Sequence, residues 1–185
     1  MSVLDIRVLG DPILRQETTQ VTTITDEIRR LAADMIETMH VAQGIGLAAP
    51  QVGRTERLTV VDVDEHKLVL INPEILHTDG TAKAEEGCLS IPDIYGDVER
   101  PAQVRVRALD VNGDPLEIDA DGLFARCLQH EIDHLHGKLF IDYLSVLKRR
   151  SALSKWAKEK DKYPGMVRRM SAAEVATHHR RDDEL

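Results

Sequence analysis

The sequence predicts an α+β fold in which short, mostly antiparallel strands surround a central helix, with a further helix toward the C-terminus. Three observations carry this reading. Helical periodicity of apolar residues occurs at 26–40 and again around 123–135, short strand-like runs broken by Gly, Asp and Pro lie between, and no regular strand-helix-strand alternation points to a doubly wound sheet. In order along the chain, Ile28, Leu31, Ala32, Met35 and Met39 fall on one stripe of a helix over 26–40. Strand-like runs follow at 57–63, 67–71, 104–109 and 115–118. Between the last two, Asp110-Val111-Asn112-Gly113-Asp114 contains the Asn-Gly pair that favours a hairpin. Asp121 then stands at an N-cap position and Gly122 opens the turn. Leu123, Phe124, Cys127, Leu128, Ile132 and Leu135 recur at helical spacing as far as Gly137, a left-handed stop.

The chain has 185 residues, 42% of them hydrophobic, enough for one buried core of about 150 residues with chain to spare. We divide it into a body at 1–147 and a basic C-terminal helix and tail at 148–185. The tail holds 11 Lys and Arg against 6 Asp and Glu, a net of +5, so the body, from totals of 24 and 32, carries 13 against 26, or −13. No basic segment followed by an apolar run opens the chain and no membrane-length apolar stretch occurs, which predicts a cytoplasmic protein that does not enter a membrane. Two cysteines leave no disulfide framework. Aromatic residues at 3% argue against base stacking and sequence-specific nucleic-acid recognition. His178-His179 reads as part of a disordered end.

Chemistry concentrates at His130-Glu131-Ile132-Asp133-His134, an H-E-x-x-H pattern inside the second helix. Histidines four apart share one helix face and can reach a single cation, and Glu131 beside them can accept a proton from water there. If the apolar stripe of this helix is buried, the histidines lie at its edge inside the protein, where unpaired imidazoles are costly. A catalytic site needs a third ligand. In the extended pattern H-E-x-x-H-x-x-G-x-x-H, Gly137 matches but Phe140 stands where the last His belongs, which excludes that protease class. Glu159 sits in a lysine-rich run that reads as a solvated face. A cation between His130 and His134 would lie roughly 7 Å along the axis from position 127, at about 1.5 Å per residue, so Cys127 reads better as a packing residue. Cys88, in Glu85-Glu86-Gly87-Cys88-Leu89-Ser90-Ile91-Pro92, is presented after a glycine and before a short apolar strand-like run. Geometry favours it as the thiolate that approaches the helix from outside.

A second glycine-rich stretch runs from Gly44 to Gly53. Gly44-Ile45-Gly46-Leu47-Ala48-Ala49 imitates a dinucleotide fingerprint, with Asp62 and Asp64 downstream, but a helix precedes it and Pro50 would break a helix after it. Such a backbone instead lets a peptide-like ligand approach main-chain groups closely, and Gln51 can donate an amide hydrogen bond.

Taken together and in order, Gly-Ile-Gly-Leu-Ala-Ala-Pro-Gln (44–51), Glu-Gly-Cys-Leu-Ser (86–90) and Gln-His-Glu-Ile-Asp-His-Leu (129–135) resemble the three signature motifs of the peptide deformylase family. The resemblance covers roughly residues 1–150. It takes in Asp11-Pro12-Ile13-Leu14 and Lys138-Leu139-Phe140-Ile141-Asp142-Tyr143-Leu144, while residues from about 166 onward match no family motif.

The resemblance implies that Cys88, His130 and His134 bind the metal and that Glu131 serves as general base and then general acid. It further implies that Gln51 and the backbone N–H of Leu89 stabilise the oxyanion. Gly46 and Gly87 would flank the substrate backbone, with Ile45, Leu123 and Cys127 as walls for a methionine side chain. The implied substrates are N-formyl-methionyl nascent peptides, deformylated with release of formate. The implied ion is ferrous iron, Fe2+, with zinc (Zn2+) in some members, and nickel (Ni2+) or cobalt (Co2+) also suits the ligand set. Contact with the ribosome through the basic C-terminal segment is a further implication. Two rival classes are a metallopeptidase with a different third ligand and a silent paralogue acting as a ribosome-associated binding module. Intact Glu131 and Gln51 argue against silence.

Overall fold

Helix α1 (Asp26–Val41) begins where Thr25 Oγ1 accepts a hydrogen bond from the Ile28 amide at 3.3 Å, and it buries Ile28, Leu31, Ala32, Met35 and Met39, the predicted stripe. It opens the α+β architecture of this computed structural model, which describes residues 2–182. The main sheet has five antiparallel strands in the order β2 (Gly46–Ala48), β3 (Leu58–Val63), β4 (His66–Asp79), β7 (Gln103–Leu109) and β8 (Pro115–Asp121). A separate hairpin pairs β5 (Ala82–Cys88) with β6 (Ile91–Arg100). A two-residue ladder joins β1 (Ile6–Arg7) to β9 (Val167–Arg168).

Helix α2 (Gly122–Leu135) packs Phe124, Cys127, Leu128 and Ile132 on the sheet residues Val61, Leu70, Val104, Val106 and Ala120. On a second cluster, α1 covers Leu47, Leu58, Val60 and Ile71. The hairpin closes a third with Leu139, Phe140, Ile141, Leu144 and Trp156 of helix α3 (Val146–Glu159). Helix α2 is therefore central, with apolar support from the sheet and the hairpin on another side. No helix among the described residues is long and apolar enough to cross a membrane.

Several boundaries differ from the sequence reading for identifiable reasons. Strand β4 continues to Asp79 instead of ending at Ile71, because Asn72 adopts φ 52° and forms a bulge before Pro73, beyond which the strand runs on against β7, already met at Ile71, and leaves β3. Asp121 occupies the N-cap position of α2, but its side chain makes no capping hydrogen bond. The Asn-Gly turn does close the β7–β8 hairpin: Asp110 Oδ1 accepts from the amides of Asn112 (2.8 Å) and Asp114 (3.0 Å), and Gly113 takes φ 85°. Gly137 ends α2 with φ 69°. His178 is not in an unstructured end: it belongs to helix α4 (Ala172–Asp182) and brings Nε2 to 3.9 Å from Glu37 Oε2 on α1. Residues 183–185 of the tail, and the side chain of His179, lie outside the described set.

Candidate metal centre and active site

Three lone-pair-bearing atoms converge at the junction of α2 and the β5–β6 hairpin. His134 Nε2 lies 3.2 Å from His130 Nε2 and 3.4 Å from Cys88 Sγ, and the ligand atoms of all three residues fall within 4.8 Å of one another. His134 is 1% exposed, and its Nδ1 finds no hydrogen-bond partner among the described residues. One thiol and two imidazoles gathered this closely suit a divalent transition metal by ligand type and spacing. The donor set therefore fits the implied ion.

Two parts of the fold place the three candidate ligands. The helical repeat sets His130 and His134 one turn apart, and the apolar stripe fixes the rotation of α2 about its axis. Cys88 stands at a register shift in the hairpin, where the pairing jumps from Glu86 with Gly96 to Cys88 with Ile91.

Behind His130 is a buried charge network in which the sequence reading assigned no roles. Glu86 Oε1 lies 2.9 Å from His130 Nδ1, so the carboxylate can accept the Nδ1 proton and leave Nε2 free for the metal. Arg100 donates to both Glu86 oxygens at 2.6 and 2.9 Å, and Arg126 donates to Oε2 at 2.7 Å. A further Arg100 bond reaches Asp133 at 2.8 Å, Tyr143 Oη donates to the same carboxylate at 2.7 Å, and the Arg100 guanidinium lies over the Tyr143 ring at 4.7 Å. Burial alone would push the Glu86 pKa up, but hydrogen bonds from His130 and Arg100 bring it down to about 2. Two signals for this network existed in the sequence: an acid beside Gly87-Cys88, and an arginine, Arg126, within an apolar helical stripe.

Glu131 is 4% exposed, and its Oε2 has no hydrogen-bond partner among the described residues. Burial raises its pKa to about 7, with His130 opposing and Glu86 adding to the rise, which suits a group that exchanges protons near neutrality. Gly46 makes room for it: a Cβ there would stand 2.5 Å from Glu131 Oε1, so any side chain would displace the carboxylate. Gln51 is held by accepting the Ala48 amide at 2.9 Å, which directs Nε2 to Ser90 Oγ at 3.1 Å and to within 3.6 Å of Cys88 Sγ.

A cleft of about 540 Å³ opens onto these groups. Of the residues singled out in the sequence, Ile45, Gly46, Gln51, Gly87, Cys88, Leu89, Leu123, Cys127, His130 and Glu131 all line it, and His134 lies buried behind. Ile45, Leu123 and the unanticipated Tyr95 are 42%, 51% and 62% exposed, so its mouth carries apolar surface without a partner. Cys127 takes the packing place anticipated for it: burial, with Glu131 adding to it, pushes the thiol well up, and Sγ donates to Ile45 O at 3.5 Å. Glu159 is instead paired with Lys162 just beyond α3 and is no part of the ligand cluster.

Comparison with known proteins agrees with this geometry. A family model described as polypeptide deformylase matches residues 3–150. Curated relatives include the peptide deformylase of Alkalilimnicola ehrlichii, 58% identical over 154 residues, covering 81% of this chain and 86% of that protein. That of Acinetobacter baumannii is 52% identical, with 84% and 90% covered. Among solved structures, a peptide deformylase from Legionella pneumophila superposes with a TM-score of 0.83 at 46% identity, covering 86% of this chain and 96% of that one. One from Synechococcus elongatus in complex with actinonin gives 0.80 at 49% identity, with 83% and 88% covered.

Proposed function

This chain belongs to the polypeptide deformylase family, and from that premise we propose that Cys88, His130 and His134 are its metal ligands, with Glu131 as the proton-transfer group. Its activity is that of the family: a metal-dependent hydrolase, it removes the N-formyl group from the formyl-methionine that begins a nascent polypeptide and releases formate. The observation that carries the assignment is the convergence of the three ligand atoms within 4.8 Å beside a buried Glu131 carboxylate.

A divalent cation held there supplies Lewis-acid polarisation and favours ionisation of water. The chain's own groups do the rest. The formyl-methionyl terminus lies in the cleft with its backbone past Gly46 and Gly87 and its side chain against Ile45, Leu123 and Cys127. Glu131, with a pKa of about 7, takes a proton as water attacks the formyl carbon. Negative charge gathering on the formyl oxygen is met by the Gln51 amide and the Leu89 N–H. Glu131 then returns the proton to the departing amine nitrogen, leaving formate and a free amino terminus. Glu86 holds the His130 ring by its Nδ1 throughout.

We assign ferrous iron as the resident ion, since a thiolate with two imidazoles accommodates it. Because the substrate is a nascent polypeptide, we place the enzyme in the cytoplasm beside the ribosome. The exposed face of α3, with Val146, Leu147, Lys148, Arg150, Lys155 and Lys158, supports a salt-sensitive contact with ribosomal RNA.

The test is formate release from an N-formyl-methionyl peptide by anaerobically purified protein, with metal content measured on the same sample. The Glu131→Ala variant is expected to keep its metal and lose activity by about 10²- to 10⁴-fold or more. Fully metallated wild-type protein that releases no formate would refute the assignment.

A further inference from the structure

Beyond the family-matched residues, the chain folds back to the catalytic cleft. In the β1–β9 ladder Ile6 stands opposite Arg168 and Arg7 opposite Val167, and the Val8 amide donates to Met166 O at 3.0 Å. One residue further, the Leu9 amide donates to Ser90 O at 2.8 Å. The segment from Ile6 to Leu9 thus ties the tail strand to the turn that carries Cys88 and Leu89. The consequence is that Arg168 lines the same cleft as Cys88, His130 and Glu131.

Arg168 is also oriented. Ser171 and Glu174 form a reciprocal capping box at the start of α4: Glu174 Oε2 accepts from the Ser171 amide (2.7 Å) and hydroxyl (2.8 Å), and Ser171 Oγ accepts from the Glu174 amide (3.2 Å). This pins the carboxylate and sets its Oε1 3.6 Å from Arg168 Nη2, an ion pair too long for a hydrogen bond. The Arg168 side chain is 24% exposed, with Glu174 as its paired carboxylate. The other arginine of the cleft, Arg126, is committed to Glu86, Val98 O and Ala82 O. Glu85, Glu86, Asp93 and Glu131 on the same lining are acidic, and Arg168 places a cation among them at the cleft.

We propose that Arg168, delivered by the C-terminal segment, is a specificity-determining residue that receives an acidic side chain of the formylated peptide downstream of its methionine. This rests on the deformylase activity above. The guanidinium fork matches a carboxylate in geometry, and at a half-buried cleft edge the pair is screened less than on open surface. Glu174, which lines an adjoining cleft with His40 and Ala173, acts only as a positioning residue, steadying the guanidinium at the edge the two clefts share.

The experiment measures kcat and KM for C-terminally amidated formyl-Met-Ala-Xaa peptides in which Xaa is Glu, Gln or Lys, at low and physiological ionic strength. Wild type is expected to show a KM for the Glu peptide about three- to fivefold below that for the Lys peptide, with similar kcat and a ratio that shrinks with salt. Arg168→Gln is expected to abolish or invert the ratio while keeping kcat on the Gln peptide, and Arg168→Lys to retain most of it. An unchanged ratio in Arg168→Gln, or an equal loss on all three peptides, overturns the role of Arg168 and leaves the deformylase activity standing. No turnover of the Gln peptide by metallated wild type overturns both.

Discussion

Helix α2 and the β5–β6 hairpin supply the same site by opposite means. The helix is positioned by apolar burial: Phe124, Leu128, Ile132 and Leu135 are each at most 5% exposed and recur at helical spacing. The hairpin adds charge to apolar burial: Ile91, Ile94 and Val98 pack in the third cluster, while its inward-facing Glu86 and Arg100 are buried and paired with each other, with Arg126 and Asp133 on the helix, and with His130. Apolar packing tolerates volume-conserving change and carries little directional information. A satisfied hydrogen-bond network fixes distances and angles, and here it fixes a ligand ring. The two supports should therefore fail differently, one in stability alone and the other in stability and metal affinity together.

The largest effect is expected from breaking the charged support. Arg100→Met leaves the Glu86 and Asp133 carboxylates without their shared partner inside the protein, a loss of about 3–5 kcal/mol of unfolding free energy. Because Glu86 then orients His130 less firmly, metal affinity should fall by about 10- to 100-fold in the protein that remains folded. Denaturant titration and competition with a chelator measure the two separately. Adding Glu86→Gln should recover part of the stability and none of the affinity, and a double variant whose losses simply add would show that the pair is not coupled.

Breaking the apolar support should cost somewhat less. Leu128→Ala removes a fully buried side chain from the α2–sheet cluster and should lower stability by about 2–5 kcal/mol. At a temperature where the variant is folded, chelator competition should return the wild-type metal affinity. A large affinity loss in this variant would erase the distinction between the two supports.

The same contrast explains what the sequence made legible. Helices α1 and α2 were readable because their buried positions are apolar and periodic, and the His130–His134 pair of the candidate metal centre because His-x-x-x-His on a helix has one geometric consequence. The hairpin was not readable beyond the run after Cys88, since its buried positions include a glutamate and an arginine that pattern reading assigns to solvent. Strand β4 was cut short at Asn72-Pro73 because a proline cannot donate to a ladder, and nothing local announces a bulge across which the strand keeps its pairing with β7. Arg168 was invisible for a third reason: its place depends on pairing across the whole chain length with Ile6. Local pattern reports local structure, and the parts of this site built from buried charge or distant pairing lie outside its reach.

The smallest effect comes from repeating the hairpin's charge geometry where water can reach it. Arg15 donates to both oxygens of Asp142 at 2.6 and 3.0 Å, as Arg100 does to Glu86, but the side chains are 45% and 33% exposed instead of 4% each. Partial burial pushes the Asp142 carboxyl up, while the Arg15 hydrogen bonds and the Leu139 amide pull it down further, leaving it below the usual range. A depressed folded pKa means stabilisation that is present above the unfolded value, about 3.9, and is lost as pH falls through the lower folded value. Asp142→Asn should therefore cost only about 0.2–1 kcal/mol at pH 7, since solvent screens the pair, and less still near pH 3. Denaturant titrations of wild type and variant at the two pH values read this directly. A cost near that of Arg100→Met would mean that bidentate geometry, and not burial, sets the strength of these pairs.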